Sequence, residues 1–237
     1  FDLILVARDE SRLEKISKRL RAATGRNVEV LRADLTQKAD LERVERVLQS
    51  DSEITLLVNN AGTAVAKPVI ESDPGQLEQM ITLNVLALTR LSRAVAPAFV
   101  KRGSGALINI ASIVALSPGL VGGAYSATKS FVLNLTQALH QELNGKGVRV
   151  QAVLPGVTTT ELWERAGVSL NQLPSEIVMS TADMVDAALV GFDRNELVTI
   201  PSLPNVQEWD AFEAARVALG PNLSHSKPAS RYVTGKA

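Results

Sequence analysis

Tyr125 and Lys129 stand four residues apart in Tyr-Ser-Ala-Thr-Lys, at the start of a stretch patterned as a helix. On a helix that spacing places both side chains on one face. A phenol with a pKa near 10 is a poor acid or base at neutral pH, but an adjacent ammonium favours the phenolate and lowers that pKa. The pair would then be a tuned general acid/base. The plain alternative is a surface tyrosine and a solvated lysine, and Tyr-x-x-x-Lys alone is too common to decide between them. Ser112 lies thirteen residues earlier, directly after the apolar run Ala106–Ile110. Its hydroxyl could hydrogen-bond a reacting carbonyl oxygen. No histidine lies nearby in sequence to make it a nucleophile, and no Gly-x-Ser-x-Gly elbow surrounds it.

Two further places carry chemistry or strong local structure. Asn59-Asn60-Ala61-Gly62 follows the apolar run Thr55–Val58, where small residues would let a flat ligand approach the backbone; a simple turn explains them as well. Asn84 sits inside an otherwise apolar helical stretch. Asparagine is a poor helix former, so it should have a specific partner, whether structural or catalytic.

The elements that must position these residues alternate along the chain. Strands are expected at Phe1–Ala7, Val28–Arg32, Thr55–Val58, Ala106–Ile110, Arg149–Leu154 and Leu197–Ile200. Helices are expected at Ser11–Ala23, Lys38–Gln49, from Pro74 in one run to Lys101, then at Ala124–Asn144, Ala182–Gly191 and Val206–Leu219. Strands alternating with long helices imply βαβ units and a parallel sheet covered on both faces. The fold class is therefore α/β, a Rossmann-type doubly wound parallel sheet in three layers. No repeat or linker divides residues 1–237, so a single domain is expected, with an irregular tail over 220–237. In such sheets ligands bind beyond the carboxyl ends of the strands. Arg8, Asp34, Asn59–Gly62, Ser112 and Pro155-Gly156 each come just after a strand.

Composition narrows the classes. The 237 residues are 46% hydrophobic and carry 25 basic and 25 acidic side chains, so no basic excess points to nucleic acid. Cysteine is absent, which excludes disulfides, thiolate nucleophiles and cysteine-bound zinc and fits a reducing, cytoplasmic setting. No membrane association is expected, because no apolar run reaches the roughly 18 residues of a span. His140 and His225, the two histidines, read as a helix-surface and a tail residue, with no metal implied.

Six motifs in order and spacing then resemble the single-domain short-chain dehydrogenases/reductases. They are Asp34-Leu35, Asn59-Asn60-Ala61-Gly62, Asn84, Ser112, Tyr125-Ser-Ala-Thr-Lys129 and Pro155-Gly156-Val157-Thr158-Thr159-Thr160. The resemblance runs from about Phe1 to Ile200. It implies that Tyr125 exchanges a proton with the substrate oxygen while hydride moves to or from a nicotinamide, and that Ser112 holds that oxygen. Lys129 would bind the nicotinamide ribose and depress the Tyr125 pKa, and Asn84 would anchor a water linking Lys129 to solvent. Asp34 and Leu35 would bracket the adenine, with Asn59, Asn60, Ala61 and Gly62 along its ribose. Pro155, Gly156 and Val157 would contact the nicotinamide, with Thr158 or Thr160 on its carboxamide or the phosphates. The family's glycine-rich phosphate loop has no counterpart in these residues, so the resemblance implies a further strand–loop–helix unit ahead of Phe1.

The cofactor choice rests on Arg8. NAD-preferring relatives usually place an acid at the end of this strand to bind the ribose diol. Arg8 instead suits a 2′-phosphate, and Arg12 could assist, although Asp9 would repel it. NADP is expected, with NAD as the alternative if Arg8 is merely a solvated turn residue.

Residues 158–181 lie where the family keeps its substrate lid, and Leu162, Trp163, Val168, Leu170, Leu173, Ile177, Val178 and Met179 make it apolar. These side chains suit a fairly apolar ketone, aldehyde or alcohol, or equally the packing of the lid itself. The long helices Gln76–Val100 and Ala124–Asn144 resemble the pair with which relatives form homodimers and homotetramers. Two rival readings remain: a non-catalytic dinucleotide-binding sensor, which usually lacks one member of the Asn-Ser-Tyr-Lys set, and an epimerase or dehydratase, which usually has a longer substrate region.

Overall fold

Alternating apolar runs and amphipathic stretches become strands and helices in the expected order. The computed structural model describes residues 1–233. The elements are β1 (Leu3–Ala7), α1 (Glu10–Thr24), β2 (Val28–Arg32), α2 (Lys38–Ser50), β3 (Leu56–Asn59), α3 (Pro74–Ile81), a π turn over Thr82–Ala87, α4 (Leu88–Arg102), β4 (Gly105–Ile110), α5 (Gly123–Leu143), β5 (Val148–Val153), β6 (Val157–Thr158), α6 (Glu161–Arg165), β7 (Val178–Met179), α7 (Thr181–Asp193), β8 (Val198–Thr199) and α8 (Val206–Ala218). Helix starts obey capping chemistry. The side chains of Asp9, Asp73 and Ser180 accept from Arg12 N, Gln76 N and Asp183 N, satisfying amides that a helix leaves without partners.

The chain divides into two compact units, Phe1–Pro201 and Ser202–Ala237. In the first, β3, β4, β5 and β8 form a four-stranded sheet in the order β3-β4-β5-β8, all pairs parallel, and β1 pairs in parallel with β2. Neighbouring residues of β4 feed opposite faces. Leu107, with Val150 of β5, joins Leu41, Val44 and Leu48 of α2, Leu91, Val95 and Phe99 of α4, and Leu143 of α5. Ala106 and Ile108, with Val153, pack against Phe192, Met184 and Ala188 of α7. The result is the expected α/β fold, a Rossmann-type parallel sheet between helical layers.

Two expectations change on this side of the molecule. The helix from Pro74 is not one regular run: a π turn over Thr82–Ala87 interrupts it around Asn84, and such wide turns recur at functional sites. The segment Pro74–Arg102 is also long and apolar enough to cross a membrane, contrary to the reading of the bare sequence. The structure accounts for part of that apolarity inside the protein, where Met80, Leu88, Leu91, Val95 and Phe99 are buried, while Ile81, Leu86 and Val100 stay exposed.

The second unit holds α8, which buries none of its side chains and carries a tilted Trp209–Phe212 ring pair. The tail expected to be irregular forms short 3₁₀ turns at Gly220–Asn222 and Ser230–Tyr232; its last residues, 234–237, lie outside the described ones.

Candidate active site

The carboxyl ends of β3, β4 and β5 bring the site together. Ser112 follows β4 and starts the 3₁₀ turn Ile113–Ala115, its Oγ accepting from Val114 N at 3.4 Å. The same Oγ donates to Pro155 O at 3.3 Å, tying the end of β4 to the Pro155-Gly156 turn after β5. Gly122 precedes α5 and lets the chain pass very close to Lys67: a Cβ there would lie 2.5 Å from Lys67 O. Tyr125 follows in the first turn of α5, only 3% exposed, with the Ser112 hydroxyl near enough to favour its phenolate. Lys129, one turn later and 7% exposed, donates from Nζ to Ile110 O at 2.8 Å; its Nζ stands 5.9 Å from the Tyr125 ring centroid.

Burial dominates the titration of both groups. It pushes the Tyr125 phenol up to about 12, against a smaller lowering by the Ser112 hydrogen bond. It draws the Lys129 ammonium down to about 8. The expectation of a depressed phenol is therefore not met in this structure. The lysine charge is itself penalised by desolvation and directed at Ile110 O, so burial outweighs it at the phenol. Tyr125 is a protonated donor at neutral pH.

Asn84 finds the specific partners that its helical setting demanded. Its Oδ1 accepts from Thr63 N at 2.9 Å, and its Nδ2 donates to Thr63 O at 2.8 Å and to Thr128 Oγ1 at 3.1 Å. Both amide hydrogens are spent on protein. Asn59 likewise turns inward. Buried at 7% exposure, it donates to Ser92 Oγ at 3.0 Å and to Asn109 Oδ1 at 2.8 Å, and Asn109 in turn donates to Thr136 Oγ1 at 3.0 Å. Its side chain therefore braces the strand end rather than lining a ribose. Asn60, Ala61 and Gly62 remain exposed beyond it. Sequence reasoning missed Asn109, Ser92, Thr136 and Thr128. A polar residue inside the apolar strand β4, in register with Asn59, was the available signal for Asn109.

At the carboxyl end of β1, Arg8 is exposed and makes no hydrogen bond or ion pair among the described residues. Asp34 turns back on its own loop: its Oδ1 accepts from Thr36 N at 3.0 Å and from Thr36 Oγ1 at 2.7 Å. Burial works against that carboxylate, but these hydrogen bonds and the charges of Arg8 and Arg32 outweigh it and hold the carboxyl below its ordinary range. Leu35 is buried in the core with α2. Arg12 is not available in the way the sequence suggested. Its Nη1 donates to Glu161 Oε2 at 2.7 Å, and its Nε lies 3.3 Å from Asp9 Oδ2.

The segment 158–181 is closed at its base, where β6 pairs with β7 and Thr181 Oγ1 donates to Thr159 O at 2.6 Å. Thr158 is buried and donates to Gly156 O at 3.2 Å; Thr160 is exposed at the start of α6; Pro155, Gly156 and Val157 are half-buried between them. Leu162 and Ala166 pack with Val121 into the cluster of Ala64, Val65, Met80, Val114 and Tyr125. Ile177, by contrast, is 53% exposed.

A buried serine, tyrosine and lysine thus stand together at the carboxyl edge of a parallel α/β sheet. Residues 1–169 match the short chain dehydrogenase family. A short-chain dehydrogenase from Sphingobium yanoikuyae, solved in complex with NADPH, is 50% identical with a TM-score of 0.95, over 98% of this chain and 90% of that one. The bulky-bulky ketone specific alcohol dehydrogenase from Comamonas testosteroni, in its orthorhombic crystal form, is 41% identical with a TM-score of 0.90, over 98% and 89%. An uncharacterized oxidoreductase of Staphylococcus saprophyticus is 36% identical over 161 residues, 68% of this chain and 69% of its own. The chain belongs to the short-chain dehydrogenase/reductase family and is an oxidoreductase.

Proposed function

We propose that this protein is an NADP-dependent reductase of apolar ketones or aldehydes, acting also in the reverse, alcohol-oxidising direction. One observation carries the reading: Tyr125, its phenol held protonated by burial, packs among Val65, Met80, Val114 and Leu162, with Ser112 beside it and Lys129 Nζ 5.9 Å from its ring centroid.

The residues fit a dinucleotide. Arg8 offers an exposed forked cation, within reach of the Asp34 charge but in no ion pair as close as 4 Å, at the strand end where an adenosine 2′-phosphate would lie. Asn60 to Gly62 give an exposed small-residue edge, and a Cβ on Gly62 would already lie 3.3 Å from Asn84 Oδ1, so any side chain there would crowd this edge. The NADPH complex of the Sphingobium relative supports this choice. When bound, the reduced nicotinamide supplies the hydride that becomes the new C–H bond of the alcohol.

The chain supplies the rest. The Tyr125 hydroxyl, joined by the Ser112 hydroxyl once it turns from Pro155 O, donates to one carbonyl oxygen and polarises it. Tyr125 then gives its proton to that oxygen as the carbon–oxygen π bond breaks, leaving an alcohol, and the phenolate recovers a proton from solvent. Lys129 lies close enough to stabilise that transient phenolate electrostatically. Leu162 and Ala166 of the lid, with Val121, cover the phenol and exclude water. A ketone with apolar groups on both sides of the carbonyl suits this cover, and the Comamonas relative is named for such substrates. Residues 158–181 act as the substrate lid, residues 1–237 work as one functional domain in a cytoplasmic homodimer or homotetramer, and exposed Ile81, Leu86 and Phe131 on the long helices supply apolar contact surface.

The test is NADPH consumption, followed by absorbance, with a panel of aryl and branched ketones and aldehydes, and NADH as comparator. Turnover of bulky ketones with NADPH preferred is the expected result. Tight NADPH binding without turnover of any carbonyl would convert the reading to that of a dinucleotide sensor.

A further inference from the structure

We infer that Thr128 is a positioning residue of the active site, the link that fixes where the loop after β3 crosses the catalytic lysine; the inference rests on the proposed reductase function for its kinetic meaning. Thr128 is 3% exposed, on α5 between Tyr125 and Lys129. Its Oγ1 donates to Tyr125 O at 2.7 Å. A hydroxyl has one hydrogen, so its remaining capacity is as an acceptor, and Asn84 Nδ2 donates to it at 3.1 Å. That settles which way the Asn84 amide faces. With its nitrogen toward Thr128 and Thr63 O, its Oδ1 must receive Thr63 N.

The consequence reaches the reacting groups. Thr63 is the residue after Gly62, and a Cβ built on Gly62 would lie 3.6 Å from Lys129 Nζ. The loop that runs past the lysine is therefore held by a relay that begins on the helix carrying the lysine: Tyr125 O, Thr128 Oγ1, Asn84 amide, Thr63 backbone. Without the Thr128 hydroxyl, one Asn84 hydrogen loses its acceptor in a buried site and the amide loses the contact that orients it. The loop over Lys129 then loosens although no group touching substrate has changed.

Thr128→Val, nearly the same shape without the hydroxyl, tests this against Thr128→Ser, which keeps it. Loss of one buried hydrogen bond scales to roughly fivefold effects. We expect Thr128→Val to raise the KM for NADPH by about fivefold, to lower kcat by a similar factor, and to speed hydrogen exchange at the Thr63 amide by at least about fivefold, read by NMR. Thr128→Ser should bring all three back to within about twofold of the parent. If Thr128→Val misfolds by circular dichroism, Thr128→Ala, which adds no methyl group, is judged by the same thresholds. A lower melting temperature with unchanged KM and unchanged Thr63 exchange would overturn the inference and leave Thr128 a packing residue. If the parent protein turns over no carbonyl, the reductase reading fails by itself, while the Thr63 exchange rates still decide the relay.

Discussion

The two ends of the candidate groove are built on opposite principles. At the chemical end, Asn84, Ser112, Tyr125 and Lys129 are each less than a tenth exposed, and Asn84, Ser112 and Lys129 each hydrogen-bond a neighbouring segment. At the other end, Arg8 is exposed and unpaired, and Arg12 and Glu161 meet across solvent with more than half of each side chain exposed. The contrast teaches where sensitivity lies. A buried network changes all at once, because a lost partner leaves an unsatisfied group in a low dielectric. An exposed ion pair changes by degrees and is screened by salt. The proposed reaction chemistry sits in the first region and the proposed cofactor discrimination in the second.

Changes at the buried end should be the most severe. Tyr125→Phe removes the proton donor while keeping the ring in its cluster, and NADPH-dependent reduction should fall by about 10²–10⁴-fold. NADPH binding, measured by fluorescence titration, should stay within about threefold of the parent, since catalysis and binding are carried by different groups. Retained turnover would erase the distinction between the two ends.

Arg8→Ser probes the exposed end at its strongest point. Loss of one charge-assisted contact to a 2′-phosphate should lower kcat/KM for NADPH on the order of tenfold, leaving that for NADH nearly unchanged. Equal losses with both dinucleotides would mean that Arg8 does not read the phosphate.

The pH dependence sharpens the buried end. Tyr125 stays protonated up to about 12, whereas Lys129 loses its charge near 8. The reductive kcat/KM should therefore be flat up to about pH 7 and fall as pH rises through about 8. Stability carries the opposite sign there. The folded state releases the Lys129 proton near 8 while the unfolded chain holds it to 10.5, so unfolding free energy from this group rises with pH between those values. Urea melts of the parent should show that rise, and Lys129→Met should lack it.

The mildest change is Glu161→Gln. It breaks the contact with Arg12 at 2.7 Å and that with Arg165 at 2.5 Å, freeing Arg12 for an anionic cofactor. NADPH should bind about two- to fivefold tighter at low salt, with the gain lost near 0.5 M salt. A salt-independent change of any size would show that α6 moved for another reason.

Residue types and spacing determined a good deal by themselves. Alternating apolar runs and helical stretches place the long elements to within a few residues, though not β6, α6 and β7 of the 158–181 segment, because burial on a sheet and on a helix demands different periods. The four-residue gap between Tyr125 and Lys129 fixes a shared helix face whatever surrounds it. What the chain order could not reveal was environment. The side-chain partners of Asn59 stay hidden until β3 and β4 are laid in register and Asn109 appears opposite it. Arg12 reads as a spare cation until α6 brings Glu161, 149 residues away, to its side. The Tyr125 pKa was expected to fall beside a lysine and instead rises, because desolvation depends on everything packed around a group and not on its neighbours in sequence. Local order was written in the residue pattern; partners and burial were decided only when distant segments closed on each other.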